Sequence, residues 1–379
     1  MKVLKIVVKG LPLFKGELEL GFTATQRVSD DDRNKLHPLF SNLYLNPTEA
    51  IIGINESGKT SALKVILLAL GILNNEPINH IDSRDILGKS DDVEMNIWFI
   101  SGSKEICKLQ TCIKYDESQN RYIITDEILW MKSTETVKLK KTLFDFDETM
   151  IVAIRKNDEQ FLSDDVSIVI ARNKKNKDYI VVKDMREFTN VNTLPTYDSI
   201  PESIITFLDP SVEAITFEVR DNKDIIHLKF VGQDDIIFNN SKELDTYLSS
   251  GTIKGIGIFT QAMNVLKTGG YMVVDEIENH FNKEIVTTLI RFFMDTRFNV
   301  NGAVLIFTTH YPELLDEYDR NDSIFITRNR DGITLENLSN ILTRNDIKKS
   351  DAYQSGYLEG TTPAYEAYMK LKKSIAAYI

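Results

Sequence analysis

The sequence predicts an α/β fold in which a domain built on a parallel sheet is interrupted by a β-rich insertion. Three observations lead to this prediction. A short apolar strand at residues 50–52 runs into a glycine loop and then into a helix that is apolar almost all round. From Lys242 onward, helical and strand-like segments alternate, which is typical of a parallel sheet with crossover helices. Between about residues 86 and 240, alternating apolar and polar runs predict antiparallel hairpins.

Length and composition indicate a folded chain of one large domain or two ordinary ones. The chain has 379 residues, and hydrophobic residues make up 42% of it, which is enough to fill a normal core. The formal net charge is -11, so no global basic field attracts nucleic acid or an anionic membrane. Any such binding has to use a local patch.

Cysteine content and apolar run length exclude two further classes of protein. Cys107 and Cys112, with five scattered histidines, are too few ligands for a structural zinc site, and such sparse thiols fit a reducing cytosol. The most apolar run, from Val65 to Leu73, is much shorter than the about 20 residues of a membrane span. Met1 leads directly into a strand pattern rather than a signal peptide. We therefore expect a cytoplasmic protein with no membrane partner.

The glycine loop matches the pattern G-x-x-x-x-G-K-[ST] and lies between a strand and a helix, as that pattern requires. Its glycines allow backbone amides to close around phosphate oxygens, and the helix N-terminus adds partial positive charge. Lys59 is predicted to reach the β- and γ-phosphates, and the Thr60 hydroxyl to bind Mg²⁺. We therefore expect ATP and Mg²⁺ as ligands, although a glycine turn before an ordinary buried helix is the alternative. The predicted nucleotide contacts are Gly53, Asn55, Glu56, Ser57, Gly58, Lys59, Thr60 and Ser61.

A second motif is the apolar run 271–274, which ends in the adjacent carboxylates Asp275 and Glu276. Charged groups at the end of a buried strand should project at its C-terminal end, where ligands bind in open α/β sheets. Asp275 is predicted to hold Mg²⁺, and Glu276 to position and polarise the attacking water. Such a pair is often only a solvated strand end, but after a phosphate loop it predicts ATP hydrolysis.

The third motif is the apolar strand 303–307, which continues into Thr308, Thr309 and His310. A histidine at the end of a core strand is usually a simple polar terminus. Here it follows the strand after the two acids, where it can contact the γ-phosphate or the water. We therefore predict Glu276 and His310 as the catalytic residues.

In order and spacing, these motifs resemble those of ABC-type ATPases. The run Leu248-Ser249-Ser250-Gly251-Thr252 is similar to the family signature L-S-G-G-Q, and Gly251 lies 24 residues before Asp275. In that family two heads pack head to tail. The resemblance implies that Ser249 and Gly251 contact the γ-phosphate bound by another subunit, that His310 is the switch histidine, and that the protein forms a homodimer or higher homo-oligomer. A serine and glycine helix break is the alternative for residues 248–252.

The branch of the family is indicated by Asp275-Glu276-Ile277-Glu278-Asn279-His280, which is similar to segments of SMC-like, RecF-like and OLD-like ATPases. Transporter heads usually have proline in place of Ile277. The runs 350–353 (SDAY) and 360–363 (GTTP) resemble ATPases of prokaryotic abortive-infection and other phage-defence systems. We expect neither a TOPRIM nuclease domain nor long coiled coils.

Several positions depart from the family pattern. Ser250 and Thr252 replace the usual glycine and glutamine of the signature. The glutamine loop of the family has only Gln110 and Gln160 as candidates. Asn282 stands where many relatives have aspartate or histidine, and it is suited to capping the following helix.

Together these observations predict a P-loop NTPase of the ABC-ATPase head type. Residues 1–85 and 241–345 would form the head, residues 86–240 an inserted β-rich lobe, and residues 346–379 a C-terminal helical tail. A head of this kind has to act through a partner. We expect slow, partner-regulated ATP hydrolysis in a switch subunit of an anti-phage defence complex, which controls a separate nuclease or toxin encoded nearby.

The alternative function is a RecF- or SMC-like DNA-repair or DNA-end-binding ATPase. Lys174, Lys175 and Lys177 lie at the tip of a hairpin predicted over residues 166–182, and a second basic run covers residues 138–141 (KLKK). Contact with nucleic-acid phosphates is one interpretation of these two groups, and ordinary solvated loop charges are the other. A third possibility, a regulatory nucleotide binder with negligible turnover, is opposed by the presence of Glu276.

Overall fold

The computed structural model describes residues 1–90, 92–155, 162–188, 200–220, 223–279, 281–361 and 365–378. The strands are β1 (Lys2–Lys9), β2 (Leu18–Gly21), β3 (His37–Phe40), β4 (Leu43–Leu45), β5 (Thr48–Ile52), β6 (Val93–Ile100), β7 (Glu105–Asp116), β8 (Arg121–Ser133), β9 (Ile151–Ile154), β10 (Val182–Asp184), β11 (Val212–Arg220), β12 (Lys223–Phe230), β13 (Ile236–Phe238), β14 (Tyr271–Val274), β15 (Val304–Thr309), β16 (Ile324–Asn329) and β17 (Ile333–Asn337). The α-helices are α1 (Lys59–Leu73), α2 (Val169–Asn176), α3 (Glu202–Leu208), α4 (Ser250–Thr268), α5 (Lys283–Met294), α6 (Leu338–Ile341), α7 (Lys349–Gln354) and α8 (Tyr365–Tyr378).

One large sheet has the strand order β10-β14-β15-β5-β16-β17. Its strands are parallel, except that β17 runs antiparallel to β16. Every residue of β5, β14 and β15 is buried, because helices cover both faces of the sheet. Side chains such as Ile51 and Val273 face α1, whereas Ala50 and Met272 face α4 and α5. This mixed α/β architecture confirms the predicted fold class.

The second large sheet is antiparallel and has the order β2-β1-β6-β7-β8-β9. Its inner face contributes residues such as Ile6, Ile97 and Leu109 to the same core as α1. Helix α1 therefore lies between the two sheets, and from Ala62 to Leu73 every residue except Lys64 is buried. The predicted apolar character of α1 on all sides is explained by this position.

Residues 86–240 are rich in strands, but these strands belong to three different sheets. Strands β6 to β9 extend the sheet that contains β1, β10 pairs in parallel with β14, and β11 to β13 form a small sheet of their own. Strand pairing thus crosses the boundary expected near residue 86. The division of the chain into domains stays a prediction.

The predicted hairpin at residues 166–182 is wrong, because Val169–Asn176 form helix α2. Val169 and Asn173 are its buried residues, which is helical rather than strand spacing. Asn173 Nδ2 donates to the Leu73 carbonyl oxygen at the end of α1, over 2.7 Å. Lys174 and Lys175 consequently lie in the last turn of a helix, where cations are favourable, and not at a hairpin tip.

Asn282 caps the N-terminus of α5, since its Oδ1 accepts a hydrogen bond from the Ile285 amide over 3.0 Å. Asn282→Ala removes this cap, and we expect it to lower the free energy of unfolding by about 1 kcal/mol, measured by urea titration. Asn282→Asp is the matched control, because a carboxylate oxygen can accept the same bond. Equal destabilisation by both substitutions would show that capping is not the role of this side chain.

Candidate nucleotide and catalytic site

The three predicted motifs converge at one edge of the parallel sheet. Strand β15 lies between β14 and β5, so the carboxyl ends of the three strands are neighbours. The phosphate loop follows β5, Asp275 and Glu276 follow β14, and His310 follows β15. The structure therefore brings together the catalytic, metal and phosphate-binding residues predicted in these segments, and their individual roles stay predictions.

Two glycines of the phosphate loop occupy positions that no other residue would fill without strain. Gly58 has φ +100° at the start of α1, and a Cβ there would lie 2.5 Å from the Ile333 side chain. A Cβ on Gly53 would lie 2.2 Å from Ser57 Oγ and from Thr327 Oγ1. The tight turn thus depends on glycine at both positions, as expected for a backbone that closes around phosphate oxygens.

The loop is also held by strand β16, although no sequence motif connects the two segments. Thr327 Oγ1 lies 2.6 Å from Ser57 Oγ, and Asn329 Nδ2 donates to the Glu56 carbonyl oxygen over 3.1 Å. Glu56 has φ +62°, an uncommon backbone conformation that the Asn329 contact supports. Because the Ser57 side chain is buried and bonded to Thr327, only its backbone is available to phosphate.

The outer part of the loop is more open than its centre. Asn55, Glu56 and Thr60 are exposed, and Ser61 is half-buried in the first turn of α1. These residues line the accessible side of the loop, which is the side a nucleotide has to approach.

Lys59 points back across the loop, with a side chain that is mostly buried. Its Nζ donates to the carbonyl oxygens of Gly53, over 3.1 Å, and Ile54, over 3.2 Å. Burial lowers the pKa of Lys59, although the carboxylates of Asp275, Glu276 and Glu278 act in the opposite direction. The ammonium group is thus held between neutral carbonyls and three acids, where a phosphate group would be a stronger partner.

Asp275 and Thr60 place two oxygen atoms side by side. Thr60 Oγ1 donates to Asp275 Oδ2 over 2.6 Å, and Thr308 Oγ1 donates to the other oxygen, Asp275 Oδ1. A hydroxyl and a carboxylate suit Mg²⁺, which takes few protein ligands in nucleotide sites and completes its shell with phosphates and water. The pair therefore fits the predicted metal, and within the described ranges no group of three or more His, Cys, Asp or Glu forms another candidate.

Glu276 is held on both carboxylate oxygens. Asn279 Nδ2 donates to its Oε2 over 2.6 Å, and His310 Nε2 lies 3.3 Å from its Oε1. Its backbone has φ +47°, and its amide donates to Thr308 Oγ1 over 2.7 Å. Burial alone raises the pKa of Glu276, but hydrogen bonds from Asn279 and His310 and the charge of Lys59 together bring it below its usual value.

His310 connects Lys59 with Glu276. Its Nδ1 lies 3.4 Å from Lys59 Nζ, and its Nε2 faces Glu276. An ammonium group can only donate, so Nδ1 has to be the acceptor, and a neutral imidazole then carries its proton on Nε2 and donates it to the carboxylate. The contact between Lys59 and Nδ1 therefore determines which ring nitrogen donates to Glu276, the predicted base.

The signature-like segment lies at the N-terminus of α4. Ser249 caps this helix, since its Oγ accepts from the Thr252 amide over 3.0 Å and lies 2.8 Å from Thr252 Oγ1. Gly251 is in the first turn. The observed role of Ser249 is therefore a helix cap, and contact of Ser249 and Gly251 with the phosphates of another subunit stays a prediction.

Arg186 is a residue near the site that sequence reasoning missed. Asp184 in β10 pairs with Val273, and the Met185 amide donates to the Val273 carbonyl, so Arg186 reaches the level of Asp275. Burial lowers the pKa of Arg186, but its hydrogen-bonded partner Asp184 and the charges of Asp85 and Asp275 raise it overall. Nothing in the sequence indicated that this segment would pair with the strand of the acids.

Of the two glutamine-loop candidates, the structure describes only Gln110. Gln110 lies within β7 and pairs with Asn96 and Ile128 in the antiparallel sheet. Gln160 lies outside the described residues.

Comparison with known proteins identifies the family. Residues 120–316, more than half of the chain, match the family described as "AAA domain, putative AbiEii toxin, Type IV TA system". The chain belongs to this AAA-domain family. The matched part of the AAA domain includes Asp275, Glu276 and His310, whereas the phosphate loop lies before it. The predicted membership of the AAA-type ATPases is thereby confirmed, and P-loop ATPases of this kind bind ATP, typically with Mg²⁺.

Similarity to solved structures is distant. A structure of the recombination mediator protein RecF with ATP, from the RecFOR pathway, has 8% sequence identity and a TM-score of 0.43, and the similarity covers 89% of this chain and 97% of that one. The search of curated proteins gave no match. Of the helices that the structure describes, none has the length and apolar character needed to cross a membrane.

Proposed function

We propose that this AAA domain binds ATP with Mg²⁺ and hydrolyses it in the cytoplasm, as a switch subunit that controls a separate effector in a prokaryotic defence complex. The observation that carries the enzymatic part is the continuous set of contacts at the strand ends. Lys59, His310 and Glu276 are linked in one chain, and Thr60 and Asp275 lie beside it. A glycine turn with only a structural role would not require Glu276, Lys59 and the Thr60–Asp275 pair to lie together.

Nucleotide binding uses the residues of the loop and the start of α1. Backbone amides around Gly53 and Gly58 bind the phosphate oxygens, and Lys59 exchanges two neutral carbonyl partners for charged phosphate oxygens, which form stronger hydrogen bonds. Thr60 and Asp275 would hold Mg²⁺, which, when bound, neutralises charge on the β- and γ-phosphates.

In the hydrolytic step Glu276 orients the attacking water and accepts its proton. Asn279 and His310 hold the two carboxylate oxygens and favour the ionised form that a base needs. His310 donates from Nε2 while Lys59 holds Nδ1, so movement of Lys59 toward a phosphate alters the contact of His310 with the base. Nucleotide occupancy and base position are coupled in this way.

The switch is proposed to work through association of subunits. Ser249 and Gly251 lie at the N-terminus of a 19-residue helix, and helix N-termini favour anions such as phosphate. Together with the resemblance to ABC-type heads, this supports a γ-phosphate that bridges two copies of the chain and is lost on hydrolysis.

The defence role rests on two likenesses. The family description names a toxin of a type IV toxin–antitoxin system. Residues around 350–363 resemble ATPases of phage-defence systems. Both support an effector protein encoded nearby, a nuclease or a toxin, that the ATP-bound assembly restrains or releases.

The proposed switch predicts association that depends on ATP. Glu276→Gln protein should change from monomer to dimer or larger in the presence of ATP and Mg²⁺, as measured by light scattering with size-exclusion chromatography. Gly251→Asp, introduced into the same protein, should still bind ATP but stay monomeric, because a carboxylate at this position repels phosphate. The product of the neighbouring gene is added in parallel, and its capture only with ATP would support effector control.

Other outcomes would weaken this proposal in specific ways. ATP binding without any change of mass would remove the assembly step, and association of the Gly251→Asp protein would remove the signature from it. DNA binding is then tested by its salt dependence, with a slope near -0.9 for each phosphate contacted. Lys174 and Lys175 lie in the last turn of α2, where cations are favourable whether or not DNA binds, and the run 138–141 is exposed.

A further inference from the structure

Glu278 is a buried acid that the proposed reaction does not use. It lies in the turn between β14 and α5, two residues after the predicted base, and only 6% of it is exposed. It is neither in the Thr60 and Asp275 pair nor bonded to the base. A carboxylate buried in this way costs free energy unless its oxygens are hydrogen-bonded, so its presence needs an explanation.

The two carboxylate oxygens of Glu278 differ in their hydrogen bonding. Its Oε1 accepts a hydrogen bond from the His310 backbone amide over 2.6 Å. Its Oε2 is buried and has no hydrogen-bond partner in the part of the chain that the structure describes. One short bond to His310 is therefore the main described interaction of this side chain.

The same turn is attached to the end of β15 at two further points. The Glu276 amide donates to Thr308 Oγ1, and the Ile277 amide donates to the Thr308 carbonyl oxygen over 3.1 Å. Glu278 extends this attachment from Thr308 to His310. The turn that carries the base and the residue that contacts the base are thus fixed to each other by consecutive hydrogen bonds.

The two contacts of the His310 ring tolerate only a small displacement of the ring. Its distances of 3.4 Å to Lys59 Nζ and 3.3 Å to Glu276 Oε1 are close to the upper limit for hydrogen bonds. A displacement of about half an ångström away from either partner would break that contact. The His310 backbone, which carries the ring, is held by the hydrogen bond that its amide donates to Glu278 Oε1.

We propose that Glu278 is a positioning residue that holds His310 between Lys59 and Glu276, an inference that rests on the proposed ATPase function. Positioning depends on the hydrogen bond between the His310 amide and Glu278 Oε1. The length of the Glu278 side chain should therefore affect kcat more than its charge does. A competing explanation is that the negative charge of Glu278 acts directly on Lys59.

Two conservative variants distinguish the effect of side-chain length from the effect of charge. Glu278→Gln keeps an oxygen at the same distance but removes the charge, and we expect kcat to stay within about threefold of wild type. Glu278→Asp keeps the charge but shortens the side chain by one methylene group, and we expect kcat to fall about tenfold, with the Kd for ATP changed less than twofold. The reverse order, with Asp active and Gln impaired, would overturn the proposal.

Coupling to His310 is tested by combining substitutions. If Glu278 acts through His310, Glu278→Asp should cause no further loss of kcat in a His310→Ala background. A full additional tenfold loss there would show that Glu278 acts elsewhere. This comparison also separates positioning from a general effect on folding, which would persist without the imidazole.

A measurement that needs no turnover distinguishes failure of this inference from failure of the ATPase proposal. The chain has five histidines, so ¹³Cε1-histidine labelling gives few NMR signals, and His310→Ala identifies the signal of His310. At one fixed pH, Glu278→Asp should shift the His310 signal more than Glu278→Gln does, and His37 serves as a distant reference. An unchanged His310 signal in the Asp variant would refute positioning even in a protein that hydrolyses no ATP.

Discussion

Glu276→Gln is expected to lower the rate of ATP hydrolysis by about 10²- to 10⁴-fold while ATP remains bound. A glutamine cannot accept the proton of the attacking water. It also has one oxygen and one NH₂ group, whereas Asn279 Nδ2 and His310 Nε2 both donate to Glu276. One of these contacts has to be lost in the variant. Phosphate release in a single turnover measures the rate, and equilibrium binding of a fluorescent ATP analogue measures the affinity.

Glu284→Gln provides a matched control for this substitution. Glu284 lies in the first turn of α5, its side chain is exposed, and it pairs with Arg291 over 3.6 Å. Its loss should leave turnover unchanged. Equal rates for the Glu276→Gln and wild-type proteins would mean that another group accepts the proton and that the assignment of the base is wrong.

Lys59→Ala should weaken ATP binding by roughly 10- to 150-fold. Hydrogen bonds to charged groups contribute about 1.5–3 kcal/mol, and each 1.4 kcal/mol corresponds to about tenfold in Kd. We do not expect the free energy of unfolding to fall as well. Burial disfavours the charged form of Lys59, as its lowered pKa indicates, and the substitution removes this buried charge. Isothermal titration with ATP and Mg²⁺ measures the affinity, and thermal unfolding without nucleotide checks the fold.

Lys64→Ala is the control for Lys59→Ala. Lys64 is in the same helix, but its Nζ pairs with Asp85 on the surface, away from the loop carbonyls. Its replacement should leave ATP affinity within about twofold, because surface pairs contribute little. If Lys59→Ala bound ATP as tightly as Lys64→Ala, the loop would not be a phosphate site.

The parts of the fold that were predictable from sequence are those determined by local pattern. The apolar residues of β5, the glycine loop and the apolar helix α1 are consecutive, so their order defines a strand, a turn and a buried helix without further information. Residues 166–182 were misassigned because a short apolar run fits both strand and helix spacing. The helix is fixed by the contact of Asn173 with Leu73, which no local pattern indicates.

The site was predictable to the same extent and for the same reason. Lys59, Asp275 and Glu276 belong to short motifs whose chemistry is visible in the sequence. Thr327 and Arg186 are brought to the site by pairing between strands distant in sequence, and their own segments contain no motif. The residue that holds the phosphate loop and the cation near the acids were therefore accessible only from the structure.

The burial of α1 between two sheets has a mechanical consequence. The helix begins at Lys59, at the end of the phosphate loop, and ends about 22 Å away at Leu73, where Asn173 of α2 is bonded to its last turn. A close-packed helix resists bending and behaves as a stiff rod. Under the proposed switch function, we expect a tilt imposed by nucleotide on the first turn of α1 to reach α2 and the antiparallel sheet through this packing.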